Sequence, residues 1–113
     1  MNVQIFGTKK SFDSKKAERY FKERGIKYQF VDMKEKGLSK GEFNSVCQAV
    51  GGYEKLIDPK CKDKNFLALV QYLSEEDKKE KILENQKIIR TPIVRNGKQA
   101  TVGYEPDVWK DWK

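Results

Sequence analysis

The segment GTKKSFDSKKA, Gly7 to Ala17, holds the residues of this chain best placed for chemistry. An apolar run closed by Gly7 and followed by an amphipathic stretch is a strand-to-helix turn. A helix amino terminus offers free N–H groups and the positive end of the helix dipole. A cysteine at that point has a lowered thiol pKa and acts as a nucleophile at neutral pH. The residue at this turn is Ser11. A serine hydroxyl ionises far less readily, and the chain has no histidine to serve as its base. Ser11 is also a good helix cap, with Asp13 and Ser14 as competitors for that role.

The other reactive groups are few. With no histidine, a Ser-His or Cys-His pair and a His-containing zinc site are excluded, and two cysteines are too few for a four-thiolate site. No metal site is expected. Cys47 falls on an apolar stripe with Phe43, Val46 and Val50 and reads as a core thiol. Cys61 sits in the lysine-flanked loop PKCKDK, where exposure would lower its pKa; an incidental cysteine is the plainer reading. Lys9, Lys10, Lys60 and Arg90 are candidates for an anion site near the first helix, against the reading that they are ordinary exposed cations.

These residues need a frame. The chain of 113 residues carries 37% hydrophobic and 12% aromatic residues, enough for one folded core despite 36% charged residues. Asn2–Phe6 reads as a buried strand, and Ala17, Tyr20 and Phe21 follow at helical spacing up to Gly25. IKYQFVDM returns to strand character, with Tyr28 and Phe30 alternating against Gln29 and Val31. Strand, helix, strand within this length implies a right-handed parallel βαβ unit.

A helical block follows. Ser39 and Glu42 form a capping box ahead of the Cys47 stripe, which Gly51–Gly52 end. NFLALVQYL places Phe66, Leu69, Val70 and Leu73 on one helical face. Ser74 starts a charged helix from Glu75 to Glu84, with Ile82 and Leu83 reaching the core. TPIVRNGKQATVGY then reads as a hairpin about Asn96-Gly97, with a type I′ turn. Pro106 opens a last helix that packs Val108, Trp109 or Trp112. The order is β-α-β, helical block, β-β-α: an α/β thioredoxin-like plan, as one domain over residues 1–113, with a helical insertion at about 39–86.

Net charge is +7, from 24 basic and 17 acidic residues. Lysine and glutamate mix in KERGIK and SEEDKKEK, the pattern of solvated helix faces, so no direct nucleic-acid binding is expected. No apolar run is long enough for a signal peptide or a membrane span. With few cysteines, this points to the cytoplasm and away from a membrane partner.

IFGTKKSFDSKKAERYFKERGIKYQFVD and TPIVRNGKQATVGY, with GGYEKLID in the insertion, resemble the ArsC/Spx family of arsenate reductase-like, thioredoxin-fold proteins. The resemblance spans nearly the whole chain. It implies a four-stranded mixed sheet and a cis peptide at Thr91-Pro92, with Thr91 and Pro92 facing the nucleophile position. It places Ser11 where the family has its catalytic cysteine, and Ser14 where the Spx branch has the second cysteine of its CxxC. The arginines that hold the oxyanion in arsenate reductases correspond to Thr91, beside Arg90, to Tyr104, and loosely to the loop around Lys60. A lysine does not replace the planar fork of an arginine.

The resemblance therefore implies a bacterial thiol oxidoreductase, drawing on glutathione or a thioredoxin-type donor with no bound cofactor. Its site would take a small oxyanion or glutathione. With Ser11 in place, thiol turnover at this turn is not expected. Two alternatives stand beside it: an Spx-like regulator that binds the RNA polymerase α-subunit, for which Gly51–Gly52 and Tyr104 speak, and a non-catalytic anion- or protein-binding module.

Overall fold

The computed structural model describes residues 1–58 and 64–112. Four strands form one mixed sheet in the order β2-β1-β3-β4. β1 (Val3–Gly7) and β2 (Tyr28–Asp32) are parallel and joined by α1 (Phe12–Glu23). β3 (Ile93–Asn96) lies antiparallel on the other side of β1, and β4 (Gln99–Val102) antiparallel to β3. The expected α/β plan of β-α-β, helices, β-β-α is the observed one.

β1 sends apolar side chains to both faces, and helices cover both. Val3 and Ile5 pack with Ala17, Tyr20 and Phe21 of α1 and with Trp109 and Trp112. Phe6 points the other way, into a core with Phe43, Val46, Leu56 and Ile82. β3 divides in the same manner, Val94 to the first cluster and Ile93 to the second. A strand buried on both sides reads as a nearly continuous apolar run, and in VQIF only the half-buried Gln4 interrupts it.

The insertion holds α2 (Lys40–Val50), α3 (Lys64–Val70) and α4 (Glu75–Glu84), with short 3-10 turns at Tyr53–Leu56 and Gln86–Ile88. The capping box at Ser39 is complete: its hydroxyl accepts from the Glu42 N–H, and the Glu42 carboxylate accepts from the Ser39 N–H. Such a cap stabilises a helix by about 0.5–2 kcal/mol. Two long-range ties close the block. The Gln86 amide accepts from the Leu38 N–H at 2.7 Å and donates to the Leu38 carbonyl at 2.8 Å. Ile57 and Ile89 form an antiparallel bridge, beside which the Arg90 N–H donates to the Leu56 carbonyl at 2.8 Å. The insertion is thereby fastened to the segment that leads into β3.

Several local expectations need correction. β1 starts and ends one residue later than Asn2–Phe6. Leu69, expected in the core, is 53% exposed, because α3 is only two turns long and buries Val70 alone. The hairpin is not built on a type I′ turn. Asn96 pairs with Gln99, so the two loop residues are Gly97 and Lys98, and only Gly97 has positive φ, at +60°. One positive φ at the first loop position is the pattern of a type II′ turn. In the last helix, α5 (Pro106–Trp109), Trp109 and the following Trp112 are buried, while Val108 stays 43% exposed. Among the described residues no helix is long and apolar enough to cross a membrane.

Candidate functional site

Ser11 is the N-cap of α1. Its backbone is extended, and its Oγ accepts from the Ser14 N–H at 3.2 Å. The local sequence explains the turn: the Ser11 N–H donates back to the Thr8 carbonyl, and the Lys15 N–H starts the helix by donating to the Ser11 carbonyl, both at 3.2 Å. The Ser11 hydroxyl thus occupies the positive end of a twelve-residue helix. Asp13 and Ser14 do not cap.

Ser14 has another task. It is fully buried, and its Oγ accepts from the Thr8 N–H at 3.3 Å, so the turn is laced from both directions. This requires Gly7, since a Cβ there would stand 2.8 Å from the Ser14 Cβ and closer still to its Oγ. The Gly7 carbonyl meanwhile accepts from the Met33 N–H at 2.8 Å, carrying the β1–β2 pairing to the edge of the turn. A strand-ending glycine seven residues before a small polar residue was the only sequence sign of this contact.

The Thr91–Pro92 peptide is cis. Phe6 pairs with Ile93 across the antiparallel β1–β3 ladder, so Pro92 and Gly7 lie at the same end of adjacent strands. The turns carrying Ser11 and Pro92 leave the sheet from that one end. The Pro92 carbonyl accepts from the Gly103 N–H at 2.8 Å. Arg90 lies over Gly103: a Cβ on that glycine would be 2.9 Å from its guanidinium. Arg90 and Pro92 therefore share the Gly103 neighbourhood, while Lys9 and Lys10 are exposed on the Ser11 turn. Thr91 is half-buried beside the proline. Lys60 and Cys61 lie outside the described residues.

A contact that the sequence reading missed involves Tyr104. The Lys16 ammonium stands 5.6 Å from its ring centroid, and the ring meets Trp109 edge-on at 5.5 Å. A cation over an aromatic face contributes about 0.5–1 kcal/mol at an exposed site. Lys16 and Tyr104 are 88 positions apart, and no local pattern pairs them.

Cys47 is far from a nucleophile in character. It is a free thiol, 5% exposed, and burial pushes its pKa up from 9.0, with Lys79 opposing in part. At pH 7.5 it should react with a thiol-specific disulfide reagent only after denaturant is added; rapid labelling of the native protein would contradict its placement. The folded thiol is the weaker acid. Its contribution to stability is therefore complete below the unfolded pKa and declines as pH rises from about 9 through the folded value.

Geometrically, the arrangement is a helix amino terminus with a hydroxyl at its cap, set at the same sheet end as a cis-proline and an arginine. It presents the N–H groups of the helix end, with Lys9 and Lys10 exposed on the same turn. It lacks a thiol at the cap.

The comparisons agree with this reading of the fold. The ArsC family matches residues 6–112. No curated protein matches the chain. Among solved structures, the arsenate reductase of Vibrio cholerae is similar at 25% identity and a TM-score of 0.81, covering 96% of this chain and 94% of that one. An ArsC family related protein from Bacteroides fragilis superposes at a TM-score of 0.86 with 18% identity, over 100% and 98% of the two chains. An arsenate reductase related protein from Brucella melitensis gives 0.66 at 22% identity, over 99% and 94%. The fold is the arsenate reductase-like form of the thioredoxin-like plan. A match across nearly the full length, carried on this sheet and this turn, means that the chain belongs to the ArsC family.

Proposed function

We propose that this chain is an arsenate reductase-like protein whose site receives a small oxyanion or the anionic end of glutathione without thiol turnover at position 11. The observation that carries this reading is the Ser11 hydroxyl at the N-cap of α1, accepting from the Ser14 N–H. A serine keeps its proton at neutral pH, and no histidine exists to remove it. What remains at the site is electrostatic: N–H groups of the helix end, with Lys9 and Lys10 on the same turn and Arg90 close to Gly103 as cations for an anion to meet. A glutathione- or thioredoxin-type donor would have no sulfur here to reduce. The protein would then act as a non-catalytic anion- or protein-binding module within a redox family.

The test restores the sulfur. Ser11→Cys, in a Cys61→Ser background, should yield a thiol whose pKa lies at least about one unit below the 8.5 of a free cysteine. Its alkylation rate against pH measures this directly. The same variant should gain glutathione-dependent arsenate reduction that the Ser11 protein lacks. An ordinary thiol pKa in the variant, or equal reduction by both proteins, would sink the proposal.

A second reading, binding to the RNA polymerase α-subunit, is supported by the carboxyl end of α2. Gly51 and Gly52 have φ of +91° and +137° and leave that corner without side chains. Retention on the immobilised α-subunit carboxyl-terminal domain tests it; absence of binding at micromolar concentration removes it.

A further inference from the structure

The face beside the Ser11 turn carries an aromatic side chain that the core does not use. Phe12, the first residue of α1, is 81% exposed, whereas α1 buries Ser14, Ala17, Tyr20 and Phe21 on its inner stripe. Phe12 packs in neither core cluster, and phenylalanine is not a residue that favours a helix by itself. A second ring stands close by. Lys16 follows Phe12 by one helical turn, and its ammonium lies 5.6 Å from the ring centroid of Tyr104, which is 38% exposed. Lys16 thus bridges two exposed rings, Phe12 on α1 and Tyr104 in the loop between β4 and α5. A lone exposed apolar side chain is ordinary on a protein surface; two rings gathered about one lysine make a patch.

The charge around the rings is positive. Lys9, Lys10, Lys15 and Lys16 are all exposed, as is Arg90 beside Gly103, and none of the five forms an ion pair among the described residues. The acids on the same segments are Asp13, Glu105 and Asp107, so the cations outnumber them. The free N–H groups at the head of α1 add to the positive side. Arg19, farther along α1, is neutralised by Glu23 at 2.7 Å. An occupant must therefore offer an apolar side chain to cover Phe12 and carboxylates spaced around it to meet the lysines.

A protein segment meets these terms better than a nucleic acid or a second copy of the chain. The Lys16 ammonium over the Tyr104 ring competes with a stacking base, and Trp109 crowds the same ring at 5.5 Å. Asp13, Glu105 and Asp107 would also repel the evenly spaced phosphates of a strand. A second copy would bring the same excess of cations to a symmetric contact. We propose that Phe12 and Tyr104, with Lys9, Lys10, Lys15 and Lys16 around them, dock an acidic segment of a partner protein, an aliphatic side chain seated on Phe12 and its flanking carboxylates on the lysines. This docking is the protein-binding role proposed above, with the chemistry of the partner named. Ser11 takes no part in it, so peptide binding and the thiol pKa of the Ser11→Cys variant can each fail without the other.

Fluorescence anisotropy of a labelled peptide, a pair of leucines between short runs of glutamate and aspartate, tests this with the whole protein at about 50 mM salt. Saturation with Kd below about 300 µM is expected. Peptides with glutamines in place of the acids, or serines in place of the leucines, should each bind at least about fivefold more weakly. Phe12→Ala should raise Kd at least about fivefold while moving the melting temperature less than about 2 °C, because Phe12 lies outside both cores. Lys15→Gln with Lys16→Gln should raise Kd at least about fivefold. Lys27→Gln with Lys98→Gln removes equal charge at the opposite end of the sheet and should change it less than about twofold. The proposal is overturned by no saturation up to about 3 mM peptide, by a Kd that Phe12→Ala leaves within about twofold, or by equal weakening in both lysine pairs. Tighter binding of a single-stranded oligouridylate than of the peptide, or self-association at about 100 µM protein that Phe12→Ala abolishes, would overturn it in favour of the other occupants.

Discussion

Trp109→Ala is expected to lower the unfolding free energy by about 3–5 kcal/mol, as read from the midpoint of urea denaturation. Three observations set that size. The indole is 2% exposed, so its whole apolar area is removed from water. Its ring meets Tyr20 at 5.2 Å, Phe21 at 5.1 Å and Tyr104 at 5.5 Å, so the cavity opens among three aromatic groups. Its Nε1–H donates to the Thr101 Oγ1 at 2.7 Å, and Thr101 is itself buried, so the truncation leaves an unpartnered hydroxyl. A domain of this size has about 5–15 kcal/mol of stability in total, which puts the variant close to its limit at physiological temperature. Trp109→Phe separates the effects. It keeps most of the ring and loses the N–H, and should cost about 1–3 kcal/mol. An alanine variant within about 1 kcal/mol of the parent would show that α5 does not hold β4 to α1.

The second large effect concerns Gly7. An alanine there would bring its Cβ to 2.8 Å from the Ser14 Cβ, and Ser14 is fully buried with no route of retreat. Overpacking of this kind costs about 1–3 kcal/mol. The strain falls on the site, because Ser14 accepts from Thr8 and donates its N–H to Ser11. In a Ser11→Cys background, Gly7→Ala should bring the thiol pKa back toward the ordinary value as the cap is displaced. A double-mutant cycle isolates the contact. Ser14→Gly alone should destabilise by about 1 kcal/mol through helix propensity. Combined with Gly7→Ala it should cost less than the sum, by about 0.5–3 kcal/mol. Simple additivity would mean that β1 and α1 do not meet where the structure puts them.

Much of the frame around this site is written in local sequence. The capping box at Ser39, the stop at Gly51–Gly52 and the start of α4 at Ser74 each depend on hydrogen bonds within about four residues, and the proline at the head of α5 on its own fixed φ. The Ser11 cap belongs with them. Where reading failed, the deciding contact was remote or the pattern served two outcomes. Leu69 has the same periodicity as Val70's neighbours in a buried helix, yet α3 offers too short a face to cover it. Asn96-Gly97 favours a two-residue turn, but the β3–β4 register moved the loop one place on and left Asn96 in the ladder.

The amino-acid order alone determined the succession of strands and helices, the family resemblance and the hydroxyl at the head of α1, because periodicity, capping and turn chemistry act between near neighbours. Only the tertiary structure decided that Gly7 must make room for Ser14, that Arg90 lies over Gly103 beside Pro92, and that Lys16 reaches Tyr104. Those arrangements join residues from separate elements. Their energies depend on how packed surfaces close on one another, a property that no short window of sequence contains.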